Sequence, residues 1–146
     1  MGQKRQTINR LPTVFIDSSV FFTAVNSPTG GSSKVFSLSR EKFYLITSKV
    51  VLAETERNIR KKLLSFHLDR FFMLVNKLEV LEQLPNEKLI KKAEQAIVKK
   101  DAVILSEAKQ AQADYLLTLD IKHFKTKKAK KFVMPTQIVT PKELLQ

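Results

Sequence analysis

The chain is predicted to be an α/β protein built on a mostly parallel sheet. Three observations predict it. Short, continuously apolar runs alternate with longer segments whose apolar residues recur at helical spacing. The short runs lack polar alternation, as expected of strands covered on both faces. Two of them end in an acidic residue: Asp17 closes Thr13-Val14-Phe15-Ile16, and Asp120 closes Tyr115-Leu116-Leu117-Thr118-Leu119. In open α/β sheets the reactive site lies beyond the carboxyl ends of the strands.

Taken in order, Thr13–Ile16 is the first strand, and Phe21 and Phe22 follow it in a core-like run. Ser27-Pro28-Thr29-Gly30-Gly31-Ser32 is a turn signal. Phe43–Ile46 is the second strand, with Tyr44 in its apolar run. Ser48 is an N-cap for a helix reaching about Leu64. From Ser65 to about Leu78, the positions Leu64, Leu68, Phe71, Val75 and Leu78 make one stripe, which Phe66, Phe72 and Met73 widen. Val80-Leu81 is a weaker strand candidate, and Pro85-Asn86 a turn. Leu89, Ile90, Ala93, Ala96 and Ile97 mark another helix. Ile104, Leu105, Ala108 and Ala111 mark the last, with Asp101 at its start. Tyr115–Leu119 is the third clear strand. Lys131–Met134 and Gln137–Thr140, separated by Pro135, are weaker strand candidates.

With 146 residues, the expected organisation is a basic extension over residues 1–12 and one domain over 13–146. The absence of Cys excludes disulfides, thiolate metal sites and a Cys nucleophile. Lys plus Arg number 26 against 14 Asp plus Glu, giving a formal charge of +12 and a pI of about 10.0. Such a surface attracts polyanions, above all nucleic acid. No apolar run approaches the length of a membrane span, and no signal-peptide core follows the basic start. The expectation is a soluble, cytoplasmic protein with no membrane partner.

In so basic a chain four acids stand out: Asp17, Glu54, Asp101 and Asp120. Taken singly each has a plain explanation. Asp17 and Asp120 can begin turns, Asp101 can cap a helix, and Glu54 can be one exposed helical residue. Taken together they differ. Two end strands on one side of the sheet, and two fall early in helices that follow loops on that side. Carboxylates gathered at one point repel, and at least one is driven to hold a proton unless a cation joins them. Mg²⁺ and Mn²⁺ prefer oxygen donors, lower the pKa of bound water and stabilise charge on a phosphodiester. Acids for a metal inside a basic surface for phosphate is the layout expected of a nuclease.

These residues resemble a known family. Val14-Phe15-Ile16-Asp17-Ser18-Ser19 resembles the opening motif of PIN domains. Ser48-Lys49-Val50-Val51-Leu52-Ala53-Glu54 resembles the segment of the second acid, and Lys100-Asp101-Ala102-Val103-Ile104-Leu105-Ser106-Glu107-Ala108 the helix of the third. Ala113 through Phe124, with Asp120 within it, resembles the closing strand and its acid. The resemblance runs from about Thr13 to about Leu144 and is closest to compact prokaryotic PIN ribonucleases, including VapC-type toxins of toxin–antitoxin pairs.

The resemblance implies a PIN-like three-layer α/β/α sandwich and an endoribonuclease dependent on Mg²⁺ or Mn²⁺. Asp17, Glu54, Asp101 and Asp120 would hold the metal and activate water, and Thr118 would support a carboxylate or a metal-bound water. Many relatives carry Asn two residues after the first Asp. Ser19 stands there in this chain and can still donate to a ligand carboxylate.

Basic residues follow or precede each acid. Arg57 and Lys61 lie beyond Glu54, Lys100 lies before Asp101, and Lys122 and Lys125 lie beyond Asp120. They are the expected phosphate contacts, which position a strand without reading its bases. The expected partners are RNA, an antitoxin protein and a second copy of the chain, the last two through the wide apolar face of Phe66, Leu68, Phe71, Phe72 and Val75. His123 reads as packing at a helix end, His67 as surface or interface, and Glu107, Asp114 and Glu143 as solvated acids. Two other functions compete. A non-catalytic RNA-binding or RNA-processing module would be expected to lose some of the four acids. A phosphoacceptor signalling domain would want acids beside Asp17, where Ser18 and Ser19 stand. No glycine-rich phosphate loop follows a strand.

Overall fold

A computed structural model describes residues 10–146, so residues 1–9 of the predicted basic extension lie outside the described residues. The chain alternates strands and helices. β1 (Thr13–Ile16) is followed by α1 (Ser18–Asn26) and α2 (Gly31–Ser37). β2 (Tyr44–Thr47) is followed by α3 (Lys49–Lys62) and α4 (His67–Val75). β3 (Glu79–Val80) is followed by α5 (Glu87–Ala93) and α6 (Lys99–Gln110). β4 (Tyr115–Leu117) is followed by α7 (Ile121–Phe124) and α8 (Lys127–Val133). β5 (Gln137–Val139) and α9 (Pro141–Leu144) close the chain.

The strands form one sheet in the order β3-β2-β1-β4-β5, and every pairing is parallel. The pleat explains why the central strands lack polar alternation. Val14, Ile16, Leu45 and Leu117 face one apolar core, which α1, α2 and α4 complete. Phe15, Ile46 and Leu116 face a second core, completed by α6 and α8. Both faces are therefore covered, giving the three-layer α/β/α sandwich. Phe15, Ile16, Leu116 and Leu117 are fully buried, and each such side chain contributes about 1.5–3 kcal/mol. Helix α3 reaches both cores, with Val51 in one and Ile59 in the other. Its Ser48 cap is present, the side chain accepting from the Val51 amide.

Several predicted boundaries move. The run Lys131–Met134 is not a strand. Thr126 caps a helix there, and Ala129 and Val133, four residues apart, share the buried stripe that periodicity 2 would have split. β4 stops at Leu117, because Thr118 turns its side chain to the site described below. The helix expected to reach Ile97 ends at Ala93. Gly30 and Gly31 start α2 rather than only making a turn, and the predicted core residue Tyr44 is 40% exposed.

The order of the strands positions the site. From central β1 the chain steps outward through β2 to β3, then returns to the other side of β1 for β4. The gap between the carboxyl ends of β1 and β4 is the topological switch point, where such sheets form a crevice.

Candidate active site

Asp17 is the first residue past β1 and the N-cap of α1, its side chain accepting from the Ser18 amide at 2.8 Å. Its own amide donates to the Leu117 carbonyl across the switch point at 3.0 Å. The residue is only 4% exposed, so its charge must be met by hydrogen bonds. Two hydroxyls meet it. Ser19 Oγ donates to Oδ2 at 2.8 Å, and Thr118 Oγ1 donates to the same oxygen at 2.7 Å. Each hydroxyl also accepts a backbone N–H from the loop after β4: Ser19 from Leu119 and Thr118 from Asp120, both at 3.0 Å. The loops after β1 and β4 are thus clamped together through one carboxylate. Ser19 accordingly does what the sequence left it able to do, which is to donate to an acid of the set.

Around this clamp one cleft of about 240 Å³ is lined by Asp17, Glu54, Asp101 and Asp120, together with Lys62 and Lys100. All four predicted acids therefore meet at the switch point. α3, which follows β2, carries Glu54; the N-terminal turn of α6 carries Asp101; the loop after β4 carries Asp120. Asp120 caps α7, accepting from the His123 amide.

The electrostatics are those of crowded acids. Burial raises the Asp17 pKa, the Asp120 charge adds to that, and the bonds from Thr118, Ser19 and Ser18 oppose it. Burial also pushes Asp101 up to about 6, with the charges of Asp17 and Asp120 adding and Lys100 and His123 opposing. Its Oδ2 is buried without a hydrogen-bond partner. An orphaned carboxylate oxygen facing other carboxylates fits a divalent cation, since the donors are hard oxygens whose mutual repulsion the cation would cancel.

The structure also brings in His123, which the sequence pattern assigns to packing at a helix end. His123 Nδ1 lies 2.9 Å from Asp120 Oδ2. Among the described residues, Asp101, Asp120 and His123 form a group whose candidate ligand atoms all lie within 4.8 Å of one another. Asp17 and Glu54 share the cleft but not that group.

The predicted phosphate contacts divide. Lys100 lines the cleft. On α3 the cleft takes Asn58 and Lys62, on the i+4 row that begins at Glu54, while Arg57 and Lys61 are exposed but do not line it. That row was the signal for Lys62. Lys122 and Lys125 line a separate open cavity beside Thr140 and Lys142. There Lys125 is held 2.9 Å from both carboxylate oxygens of Glu143, so neither is a freely solvated charge. Glu107 and Asp114 also depart from the solvated expectation. Glu107 has a buried oxygen without a partner and a pKa raised by burial, and Asp114 accepts from the Thr13 amide.

The sequence model of the PIN domain matches residues 14–129, which span β1 and reach into α8. The chain belongs to the PIN domain family. Solved structures agree on the fold of this PIN domain. It is similar to VapBC2 from Rickettsia felis, solved bound to a promoter DNA fragment, at 20% identity and a TM-score of 0.67, covering 88% of this chain and 98% of that one. It is similar to DNA-bound VapBC from Salmonella typhimurium at 15% identity and 0.63, covering 90% and 99%. VapBC-1 from nontypeable Haemophilus influenzae gives 16% and 0.61, covering 89% and 98%. Among curated protein sequences, none matches the chain. Among the described residues, no helix of this PIN domain is long and apolar enough to cross a membrane.

Proposed function

We propose that this PIN domain is a divalent-metal-dependent endoribonuclease. The observation that carries the reading is the orphaned carboxylate of Asp101, its pKa raised by burial and by the charges of Asp17 and Asp120, in a cleft that Lys62 and Lys100 also line. What sets Asp101 apart is that its partnerless oxygen lies on an acid that shares a cleft with three others.

Asp17, Glu54, Asp101 and Asp120 would hold Mg²⁺ or Mn²⁺, which when bound supplies a water of lowered pKa and stabilises charge on the phosphodiester. The chain's own residues do the rest. Ser19 and Thr118 spend their protons on Asp17 and fix its orientation. Lys100 and Lys62 attract the backbone phosphates and oppose the charge that grows on the scissile group. The surrounding basic surface draws RNA to the cleft.

A protein partner is proposed for the far end of α3 and for α4. Leu64, Phe66, Phe72 and Met73 are 66%, 63%, 50% and 49% exposed there, more large apolar surface than a lone chain usually shows. An antitoxin segment or a second copy of the chain is the proposed occupant. The VapBC names of the similar structures support the first, and a cytoplasmic setting accompanies it. The non-catalytic RNA-binding reading is less well supported, since all four acids share the cleft.

Cleavage of a labelled single-stranded RNA, with a DNA of the same sequence as control, tests the reading. RNA cutting with Mn²⁺, lost in excess chelator and in Asp17→Asn, is expected. Unchanged cutting in chelator contradicts it.

A further inference from the structure

The tightest group of ligand-capable atoms at the switch point includes a nitrogen donor. One carboxylate oxygen each from Asp101 and Asp120 and a ring nitrogen from His123 lie within 4.8 Å of one another. Metal–oxygen and metal–nitrogen bonds of about 2.0–2.2 Å put two ligands of one ion at most about 4.4 Å apart. Small side-chain movements therefore bring all three onto one ion.

His123 is held there by two contacts to the same acid. Its backbone amide donates to Asp120 Oδ1 at 3.2 Å, and its ring nitrogen Nδ1 lies 2.9 Å from Oδ2. Packing does not explain the ring's direction. Phe124, the next residue, is 1% exposed and packs α7 onto the core, whereas the His123 side chain is 32% exposed and turned to the acid. That 2.9 Å separation is close to the roughly 3 Å between adjacent ligands of one octahedral ion, so the Nδ1 lone pair and Asp120 Oδ2 can share an ion with the ring proton carried on Nε2.

We propose that His123 is a nitrogen ligand of the divalent ion held by Asp101 and Asp120. The inference rests on the metal-nuclease reading above and adds a donor to it. A centre with an imidazole prefers Mn²⁺ to Mg²⁺ more strongly than one built of oxygens alone.

The test uses the whole chain with Mn²⁺ as the probe. Pulsed electron paramagnetic resonance detects nitrogen bonded to Mn²⁺, and calorimetry gives the affinity. The wild type is expected to show nitrogen coupling. His123→Gln keeps an amide that can donate to Asp120 but has no imidazole. It is expected to lose the coupling and at least about tenfold in Mn²⁺ affinity, with Mg²⁺ affinity changed less. Unfolding curves check that the variant is folded. Bound Mn²⁺ without nitrogen coupling in the wild type overturns the inference and leaves the nuclease reading standing, as does coupling that survives in the variant. No Mn²⁺ binding to the wild type overturns both.

Discussion

Asp17 and Asp114 tie the same two strands together at opposite ends, and they do so to different effect. At the amino end of the sheet, Asp114 Oδ2 accepts from the Thr13 amide at 2.8 Å and lies 3.6 Å from Arg10. One acid meets a donor and a cation, and the contact needs nothing further. At the carboxyl end, Thr118 on the β4 side donates to Asp17 after β1. Asp101 and Asp120 are drawn in beside it, and burial together with the charges of Asp17 and Asp120 raises the pKa of Asp101. The amino end is arranged for stability. The carboxyl end carries acids that burial, with their mutual repulsion adding to it, holds above the ordinary range, and such acids in a cleft are candidates for a functional role.

The largest separation of the two ends is expected in activity. Asp17→Asn lowers RNA cleavage at least about 100-fold, since it removes a charge from the metal site. Asp114→Ala leaves the cleavage rate unchanged. Equal losses in both variants would erase the distinction. Thr118→Val comes next. It keeps the shape but removes the donor to Asp17 and the acceptor for the Asp120 amide. Cleavage falls about 10–100-fold, and stability falls by about 1–3 kcal/mol by urea unfolding. Asp114→Ala, which orphans the Thr13 amide, costs about 1–2 kcal/mol in the same assay.

The smallest effect sharpens the comparison most. Asp101 rises from 3.8 to about 6 on folding. A raised carboxylate pKa means that the folded state binds the proton more tightly. The group is neutral in both states only well below pH 3.8. Its penalty grows as pH rises from there to about 6 and is complete above that. Asp101→Asn is therefore expected to be more stable than the wild type at pH 7.5 without metal, with the gap narrowing towards pH 4. A variant less stable at both values contradicts the repulsion described.

The sheet was legible because Thr13–Ile16 and Tyr115–Leu117 are apolar without interruption, which only a doubly covered strand requires. The helix Ser18–Asn26 was not, because Ser18 and Ser19 look like turn residues until Asp17 is seen capping them. Lys131–Val133 deceived as a short mixed run, its helical partner Ala129 lying outside the window. Within the site, Asp17 and Asp120 were legible from their places at the ends of apolar runs, whereas Glu54 and Asp101 stood out only through the likeness to PIN motifs. Lys62 was hidden beside three other bases, Arg57, Arg60 and Lys61, and only the row from Glu54 singles it out. His123 was hidden because its partner lies three residues back across a helix start, a contact that apolar patterning does not encode.

On the proposed reading, the carboxyl end of the sheet is unfavourable until a cation completes it. Thermal unfolding of the wild type against Mn²⁺ concentration tests this most directly. Stability is predicted to rise with Mn²⁺, by about 2.7 kcal/mol at a hundred times the dissociation constant, and to rise little in Asp17→Asn. An unfolding temperature that does not respond to Mn²⁺ in the wild type would contradict it.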